Sequence, residues 1–385
     1  MTWAGSAGLG PDDLGPDSLI DDTDGLVERD RAGQLMDTAY AGSVVRRTAT
    51  ALRESGRLAM VLPPVRYFVV FAGYGAKDAA KAVAALAGET IAAPALVRQT
   101  LDDRTPWLGI ADMVLVLSDT GSDDSSIRAA KVALQRGSTL VVSTVAGSPL
   151  DVLCAGDRNA LVLPLAEPGN TIWGHIATGL AVSERLRDSG RSDQSDELAT
   201  LSDLADALDG ASELVGPRSP ADRNPAKALA LECLDATPLA LSDSPLAAAA
   251  AYRFAARMLA TMGIPVAHVG LPAGLSRMRA ALEGPYVRAA DDIFFDPYDD
   301  SGGGRPSRPL RVVLFSESGD VGPRTAITDM AAARGVGLST IAAEGETPAA
   351  RLASMLQIGD VATAYLPLVD KSTISKSNPT EGDAE

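Results

Sequence analysis

The sequence predicts an α/β protein in which helices cover both faces of parallel β-sheets. Two observations predict this fold class. Apolar runs without strict alternation recur between helical patterns, which is typical of strands that are buried on both faces. The same order of strand, turn and helix occurs at 114–123 and again at 311–320, on either side of a polar stretch at 184–203. A chain of 385 residues is long enough for two such domains.

The predicted domain organisation is an arm followed by two α/β domains. The N-terminal region is acidic and then becomes increasingly helical, with Leu and Val at three- and four-residue spacings from about Leu26. The predicted bounds are 1–40 for the arm and its helix, 41–205 for the first domain, 206–370 for the second domain and 371–385 for a disordered tail.

In the first domain, apolar runs predict strands, and helical runs that end at glycines predict helices. The strands are placed at 67–73, 113–117, 138–144 and 160–165, and the helices at 77–88, ending at Gly88, and at 125–137, ending at Gly137.

The second domain repeats the rhythm of strand, loop and helix. Its predicted elements are a short strand at 238–241, an Ala-rich helix at 245–259, an apolar run at 264–270, a glycine-rich loop at 296–309, strands at 310–315 and 336–344, a helix at 324–335 and a last helix at 347–369.

Composition narrows the possible partners. The formal net charge of −16 would repel a polyanion, and Lys and Arg form no stripe, so nucleic acid is not an expected partner. The two cysteines, Cys154 and Cys233, lie in no metal-ligand spacing and are expected to be buried thiols. The N-terminus has no basic start and apolar core, and no apolar run reaches the ~20 residues of a membrane span. We therefore expect a cytoplasmic protein without a membrane partner, metal or cofactor.

The loop SDTGSDDSS at 118–126 follows an apolar strand and precedes a helix. Backbone N–H groups at a helix N-terminus attract anions, and Ser118, Thr120, Gly121 and Ser122 supply hydroxyls and room for close approach, so the loop is a candidate phosphate cradle. In the alternative, Asp and Ser side chains at 123–126 only cap the helix. Carboxylates next to a bound anion would also oppose its binding.

A second glycine turn, FAGYGAKD at 71–78, also lies between a strand and a helix. Gly73 and Gly75 match the start of a dinucleotide fingerprint, but Asp78 stands at the position of its last glycine. A tight turn that allows the helix to pack on the sheet is the alternative.

These blocks, together with NPAKALALE at 224–232 and PLAAAAAYRFAARML at 245–259, resemble sugar isomerase (SIS) domain proteins. Within that family the chain is similar to the two-domain phosphoglucose/phosphomannose isomerases and their divergent actinobacterial TobH-like relatives. The resemblance covers about 20–370 and is most specific at 113–144. It implies two tandem SIS domains of doubly wound, flavodoxin-like architecture, a homodimer, a sugar phosphate bound at the hydroxyl loop, and aldose–ketose isomerisation through an enediolate without a metal.

Position by position, the resemblance places Lys77 at the serine of the family's first glycine loop, keeps Ser118 and Thr120, and places Asp123 where the loop has a threonine. Asp123 would then put a negative charge where the phosphate would lie.

The resemblance also places Ala260 at the catalytic glutamate and Ser276 near the ring-opening histidine, and the C-terminal catalytic lysine has no counterpart. Alanine and serine cannot perform acid–base chemistry near neutral pH. We therefore predict no catalytic residue.

Other side chains leave alternatives open. Each histidine, His175 and His268, is either a replacement acid–base group or a core residue. Glu283 is either a replacement acid or a charge at a helix end. Arg253 either faces a phosphate or pairs with Asp243 or Glu232. The predicted ligand site thus comprises Gly73, Gly75, Lys77, Ser118, Thr120, Gly121, Ser122 and Arg253.

Three function classes are compatible with these observations. The favoured one is a non-catalytic SIS protein that binds a sugar phosphate and acts in regulation or as an accessory. The others are an active phosphosugar isomerase and a structural partner of a sugar-metabolising enzyme.

Overall fold

The computed structural model describes residues 15–56, 62–102, 104–165, 170–188, 199–287, 308–317, 321–371 and 373. The chain forms two compact units, each containing one β-sheet. The first-sheet unit comprises Ala39–Gly210 and Glu344–Ser354, and the second-sheet unit comprises Met1–Thr38, Ala211–Ala343 and Met355–Glu385. The N-terminal arm thus belongs to the unit of the second sheet. The domain bounds read from the sequence stay a prediction.

The helices up to the end of the first sheet include a helical arm and the connections between strands. They are α1 (Pro16–Asp21), α2 (Thr23–Arg29), α3 (Gln34–Ala39), α4 (Ala41–Ser55), α5 (Lys77–Thr90), α6 (Asp124–Gln135), α7 (Pro149–Cys154) and α8 (Thr171–Arg187).

The first sheet is wholly parallel, as the apolar runs predicted. Its strands are β1 (Tyr67–Ala72), β2 (Ala95–Arg98), β3 (Asp112–Leu117), β4 (Thr139–Thr144) and β5 (Ala160–Pro164). Their order is β2-β1-β3-β4-β5, the doubly wound arrangement with β3 in the centre. Every residue of β3 is buried, which explains why its sequence shows no alternation. The sequence prediction missed β2, whose residues are half-buried or exposed at the sheet edge.

The elements that follow continue the same rhythm. They are α9 (Ala199–Val215), α10 (Pro225–Leu234), β6 (Thr237–Ser242), α11 (Pro245–Met262), β7 (Ala267–Gly270), α12 (Leu275–Leu282), β8 (Leu310–Ser316), α13 (Val321–Ala332), β9 (Gly337–Ala342) and α14 (Pro348–Val369).

The second sheet is also parallel and has the order β7-β6-β8-β9. It repeats the order of the first four strands of the first sheet, so β8 occupies the position that β3 has there. The sequence echo between 114–123 and 311–320 therefore corresponds to equivalent strands. Residues 318–320 of that echo, 296–307 of the glycine-rich loop, 1–14 of the arm, 372 and 374–385 lie outside the described residues.

Each unit has its own apolar core. In the first-sheet unit, strand residues such as Val114 and Val116 pack with Ala129 and Ala133 of α6. In the second-sheet unit, β8 packs against α12 and α13 through Leu314 among others. These cores bury one face of each sheet and hold the strand ends in place.

One helix end differs from the sequence prediction, and another confirms it. Helix α5 does not end at Gly88 but continues to Thr90, because Gly88 keeps a helical conformation and the Ile91 N–H still bonds to Ala87 O. Helix α6 ends as predicted, since Gly137 follows it with a φ of 71°.

One described helix, α14, has the length and apolar composition of a membrane span, which the search for apolar runs in the sequence did not find. Its most apolar window is 89% buried inside the protein. The helix also carries the buried polar residues Gln357, Asp360 and Thr363.

Candidate sugar-ligand site

The order of the first sheet reverses between β1 and β3, so the loops after these strands flank a crevice at the carboxyl edge. Glycines allow the two loops to approach closely. A Cβ atom on Gly73 would overlap Ser126 Oγ and the Leu117 carbonyl, and one on Gly75 would overlap the Asp119 carboxylate. This packing supports the tight-turn interpretation of the FAGYG segment, in which the glycines serve loop contact.

Ser118 is the first residue after β3 and is fully buried. Its hydroxyl donates to Asp123 Oδ2 at 2.6 Å and accepts from the Gly121 N–H at 3.0 Å. Asp123 Oδ1 accepts from Ser125 Oγ at 2.6 Å and from the Ser126 N–H at 2.9 Å, so Asp123 caps α6. A carboxylate of the loop itself therefore uses the Ser118 proton and part of the helix N-terminus.

The environment of Asp123 favours its ionised form. Partial burial acts to raise its pKa, but hydrogen bonds from Ser118 and Ser125 and from the Ser126 backbone together lower the pKa below the ordinary 3.8. Asp123 therefore carries a negative charge at neutral pH. An incoming phosphate would have to displace this charge to reach Ser118.

The rest of the loop is more open. Thr120 and Ser122 are exposed and hydrogen-bonded to each other at 3.0 Å. Gly121 has a φ of +63°, and a Cβ there would overlap Ser148 Oγ and Thr144 Oγ1.

Two buried hydroxyls lie against the turns of this crevice. Ser126 Oγ faces Gly73 and Thr144 Oγ1 faces Gly121, and neither has a hydrogen-bond partner among the described residues. Lys77 begins α5 and is exposed. The structure thus gathers the predicted residues of this unit at one crevice, and adds two hydroxyls able to donate.

A buried histidine links the loop to the sheet. His175, on α8, is fully buried, and its Nδ1 lies 2.9 Å from Ser143 Oγ at the end of β4. Its Nε2 lies 3.1 Å from Asp119 Oδ1. Because a carboxylate only accepts, Nε2 carries a proton that it donates to Asp119. This arrangement orients Asp119, whose side chain is 25% exposed.

The second sheet reverses between β6 and β8, so its crevice lies between the loops that follow those strands. Ser316 ends β8, and its hydroxyl donates to Asp243 Oδ2 at 2.5 Å. Asp243 Oδ1 accepts from the Glu317 N–H at 2.9 Å. Arg324 Nη2 donates to Ser316 Oγ at 3.1 Å. A carboxylate again engages the strand-end serine, here from the neighbouring loop.

The second histidine, His268, also contacts a serine at the end of a strand. It lies on β7 and its Nε2 is 2.9 Å from Ser242 Oγ at the end of β6. Ser244 caps α11 through the Ala247 N–H. Both histidines of the chain are thus hydrogen-bonded to a strand-end serine.

Arg253 forms an ion pair, but with a partner that the sequence prediction did not name. Its Nε donates to Asp360 Oδ1 and Oδ2 at 2.7 and 2.8 Å, and its Nη2 lies 2.7 Å from Oδ2. Asp360 lies on α14 and its side chain is 3% exposed. The proposed pairing of Arg253 with Asp243 or Glu232 was wrong: Asp243 engages Ser316 and Glu232 pairs with Arg311.

The positions considered for catalysis lie on helices. Ala260 is exposed in the last turn of α11, and Ser276 lies in the first turn of α12. Glu283 caps the end of α12 and pairs with Arg334 at 3.1 Å. Glu283 is thus a charge at a helix end, one of the two alternatives that the sequence left open.

The described residues include no candidate metal site and no exposed cysteine. No group of three or more His, Cys, Asp and Glu side chains there is arranged to hold a metal ion. Cys154 and Cys233 are free and buried, as predicted. Burial raises the pKa of Cys154 to about 11 and that of Cys233 to about 12, so both are protonated thiols at neutral pH.

Comparison with known families identifies the second half of the chain. Residues 222–378 match the bacterial phospho-glucose isomerase C-terminal SIS domain. These residues therefore form a SIS domain. This confirms the family resemblance of the sequence in its coarse form, while the TobH-like branch stays a prediction.

Solved structures share the fold of this chain along most of its length. Tagatose-6-phosphate ketose/aldose isomerase from Escherichia coli is 15% identical with a TM-score of 0.59, covering 98% of this chain and 97% of its own. The C-terminal domain of glucosamine-fructose-6-phosphate aminotransferase from Francisella tularensis is 11% identical with a TM-score of 0.57, covering 87% and 96%. No curated protein matches.

Sequence reasoning missed several contacts between distant elements. The Asp119–His175–Ser143 connection joins residues from a loop, a helix and a strand, and only His175 had been considered. Asp360 pairs with Arg253 across more than a hundred positions of sequence. The one available signal was polarity: Gln357 and Asp360 lie in the middle of a largely apolar helix.

Proposed function

We propose that this SIS-domain protein binds a sugar phosphate or a related carbohydrate derivative without isomerising it, and acts as a regulatory or accessory protein in sugar-phosphate metabolism. The family match and the fold support a phosphosugar isomerase-like protein. The finer statement depends on the crevice residues. We also propose that the protein is a cytoplasmic homodimer, which light scattering on the purified protein and fractionation of cells would test.

The observation that supports the proposal most is the Ser118–Asp123 hydrogen bond. The loop keeps the hydroxyls and glycine that suit an anion at a helix N-terminus, yet its own carboxylate occupies that place. Ligand binding would exchange Asp123 for the ligand's phosphate. Such an exchange costs the cap of α6, so we expect a modest affinity that suits sensing rather than tight storage.

Loss of catalysis is supported by the family resemblance and by the surroundings of His175. By the family resemblance, Ala260 and Ser276 stand where an acid and an imidazole would move protons. His175 is enclosed and uses both ring nitrogens in hydrogen bonds. A buried histidine of this kind positions Asp119 instead of exchanging protons with a ligand.

A structural partner of a sugar-metabolising enzyme is the second candidate. It is favoured by the fact that carboxylates engage the strand-end serine in both units, through Asp123 and Asp243. If neither carboxylate yields to a ligand, the crevices serve stability alone.

Two measurements separate these candidates and the active isomerase. A coupled assay with glucose, mannose and fructose 6-phosphates should show no turnover near ~1 per second, and turnover at that rate would contradict the proposal. In thermal unfolding, a bound sugar phosphate at a hundred times its dissociation constant should stabilise the protein by about 2.7 kcal/mol.

Variants locate the binding. Ser118→Ala should remove the stabilisation, whereas Ser43→Ala, which removes an exposed hydroxyl on α4, should leave it unchanged. Absence of a shift with every sugar phosphate in the unchanged protein favours the structural role.

A further inference from the structure

A cavity of about 530 Å³ lies in the second-sheet unit, away from its crevice. Its walls come from the arm, from the end of α11 and from the end of α14, and include Arg29, Asp30, Arg31, Ala260, Thr261 and Leu368. The volume is in the range of sites that hold small molecules. Because Ala260 lies fifteen residues beyond Pro245 on α11, the cavity is about 22 Å along the helix from the carboxyl edge of the sheet.

The cavity has an apolar side. Ala364, Pro367 and Leu368 of α14 face it together with Ala260 of α11. Alanine side chains on both helices leave space between them instead of filling it. An apolar part of a ligand can therefore be buried here.

The arm supplies a cation with an unused donor. Arg29 Nη2 donates to Leu19 O at 3.1 Å and its Nη1 lies 3.4 Å from Asp22 Oδ2, which orients the guanidinium. Its Nε is buried and has no hydrogen-bond partner within the described residues. A buried N–H without an acceptor is unfavourable. Because Arg29 lines the cavity, its guanidinium can donate to an anionic oxygen there.

The wall holds two carboxylates, Glu28 and Asp30, beside its two guanidiniums, so the preference for an anion depends on the position of Arg29 and not on net charge. Both oxygens of Asp30 accept backbone N–H groups, from Gln34 at 2.9 Å and from Leu35 at 2.8 Å, so that carboxylate is already hydrogen-bonded. Glu28 is exposed and free to turn toward solvent. The wall also carries a second guanidinium, that of Arg31.

We propose that this cavity is a second ligand site, which binds a small molecule that combines an oxyanion with an apolar body. The oxyanion, a phosphate monoester or a carboxylate, contacts Arg29, and the apolar body packs on α14 and Ala260. The site joins the arm to α11 and α14, so its ligand stabilises the arm against the rest of its unit. It is independent of the sugar ligand proposed for the crevices.

The test uses the full chain and small probes of matched shape. Phenyl phosphate and benzoate carry both features, inorganic phosphate lacks the apolar body, and benzamide lacks the charge. We expect calorimetric titration to show binding of phenyl phosphate or benzoate, at least about tenfold tighter than inorganic phosphate or benzamide. The better of the two aromatic anions distinguishes a phosphate ester from a carboxylate.

Two variants assign the binding to this cavity. Ala260→Trp fills it from an exposed helix position, and its control Leu259→Trp adds the same ring at a neighbouring exposed residue that does not line the cavity. Arg29→Gln removes the donor, with Arg104→Gln in the first-sheet unit as its control. Each cavity variant should weaken binding by about tenfold or more, and each control by less than about twofold.

Two results would overturn the proposal. One is the absence of binding of both aromatic anions at millimolar concentration. The other is an unchanged affinity of Ala260→Trp for the aromatic anions. This variant keeps the hydrogen bonds of Arg29, so it tests the cavity even if Arg29→Gln loosens the arm. A crevice variant, Ser118→Ala, should leave this binding unaffected whatever the outcome for sugar phosphates.

Discussion

The two crevices reach one local arrangement with different residues. In the first sheet, Ser118 donates to Asp123, five positions later in its own loop. In the second, Ser316 donates to Asp243, which follows the neighbouring strand. The equivalent strand-end serines thus meet a carboxylate that comes from a different element in each unit.

This difference shows which requirement belongs to the fold and which to the sequence. At the carboxyl edge of a parallel sheet, backbone N–H groups of loops and helix starts create a positive potential, and an anion there is stabilised. Each unit supplies that anion from its own residues, Asp123 in the first and Asp243 in the second. Asp123 also caps the helix that follows it, α6, whereas the helix that follows Asp243, α11, is capped by Ser244.

The largest contrast is expected from two ion pairs, each with a buried aspartate. Arg253→Met leaves Asp360, 3% exposed, without its bidentate partner, and should lower the free energy of unfolding by about 3–5 kcal/mol. Arg66→Met in the first-sheet unit should cost less, because Asp112 keeps the Gly109 N–H and Arg66 is half exposed. Chemical denaturation measures both, and equal losses would contradict the ranking.

A glycine pair tests how tightly the first crevice is packed. Gly121→Ala should cost about 2–5 kcal/mol, from the left-handed backbone and from overlap with Ser148 and Thr144. Gly147→Ala has a similar φ, +74°, but open space around its Cβ, and should cost only about 1–2 kcal/mol. If thermal denaturation finds the two variants equally stable, the crevice is not closely packed.

The internal anion of the first crevice gives a pH-dependent effect. Asp123→Asn keeps a capping oxygen but loses the charge that strengthens the hydrogen bonds from Ser118, Ser125 and Ser126, and should cost about 1 kcal/mol at pH 7. Because the pKa of Asp123 is lowered in the folded protein, its contribution is present above the ordinary pKa of 3.8 and is lost as the pH falls through the lower folded value. The difference between the original protein and Asp123→Asn should therefore shrink in acid.

The matched control for that prediction is Asp124→Asn, which changes an exposed carboxylate in the same helical turn. It should cost less, since it forms no cap. A difference between Asp123→Asn and the original protein that grows toward low pH would contradict the assigned role.

The smallest effect concerns the two thiols, one in each unit. Burial raises the pKa of Cys154 to about 11 and of Cys233 to about 12, so native protein at pH 8 should react with a thiol reagent only slowly. In denatured protein, both cysteines should react at once and consume two equivalents of the reagent. Fast reaction of one thiol in native protein would show that its unit opens locally.

Much of the fold was readable from the chain because its strands are buried on both faces. The unbroken apolar runs of β1, β3 and β4 and the glycine after α6 placed those elements correctly. Edge strand β2 escaped detection because half-buried residues leave no apolar run. The sequence prediction placed the helical arm before the first domain, but its residues belong to the second-sheet unit. Local sequence patterns do not indicate such long-range packing.

For the candidate site, the sequence by itself determined the hydroxyl-rich loop, its glycines and the charge of Asp123, because these follow from residue types next to a strand and a helix. Only the tertiary structure decided which carboxylate each strand-end serine meets, that His175 holds Asp119 and that Arg253 pairs with Asp360. The physical reason is that capping and backbone conformation act within a few residues, whereas hydrogen bonds between elements depend on how the sheet order brings distant strand ends together.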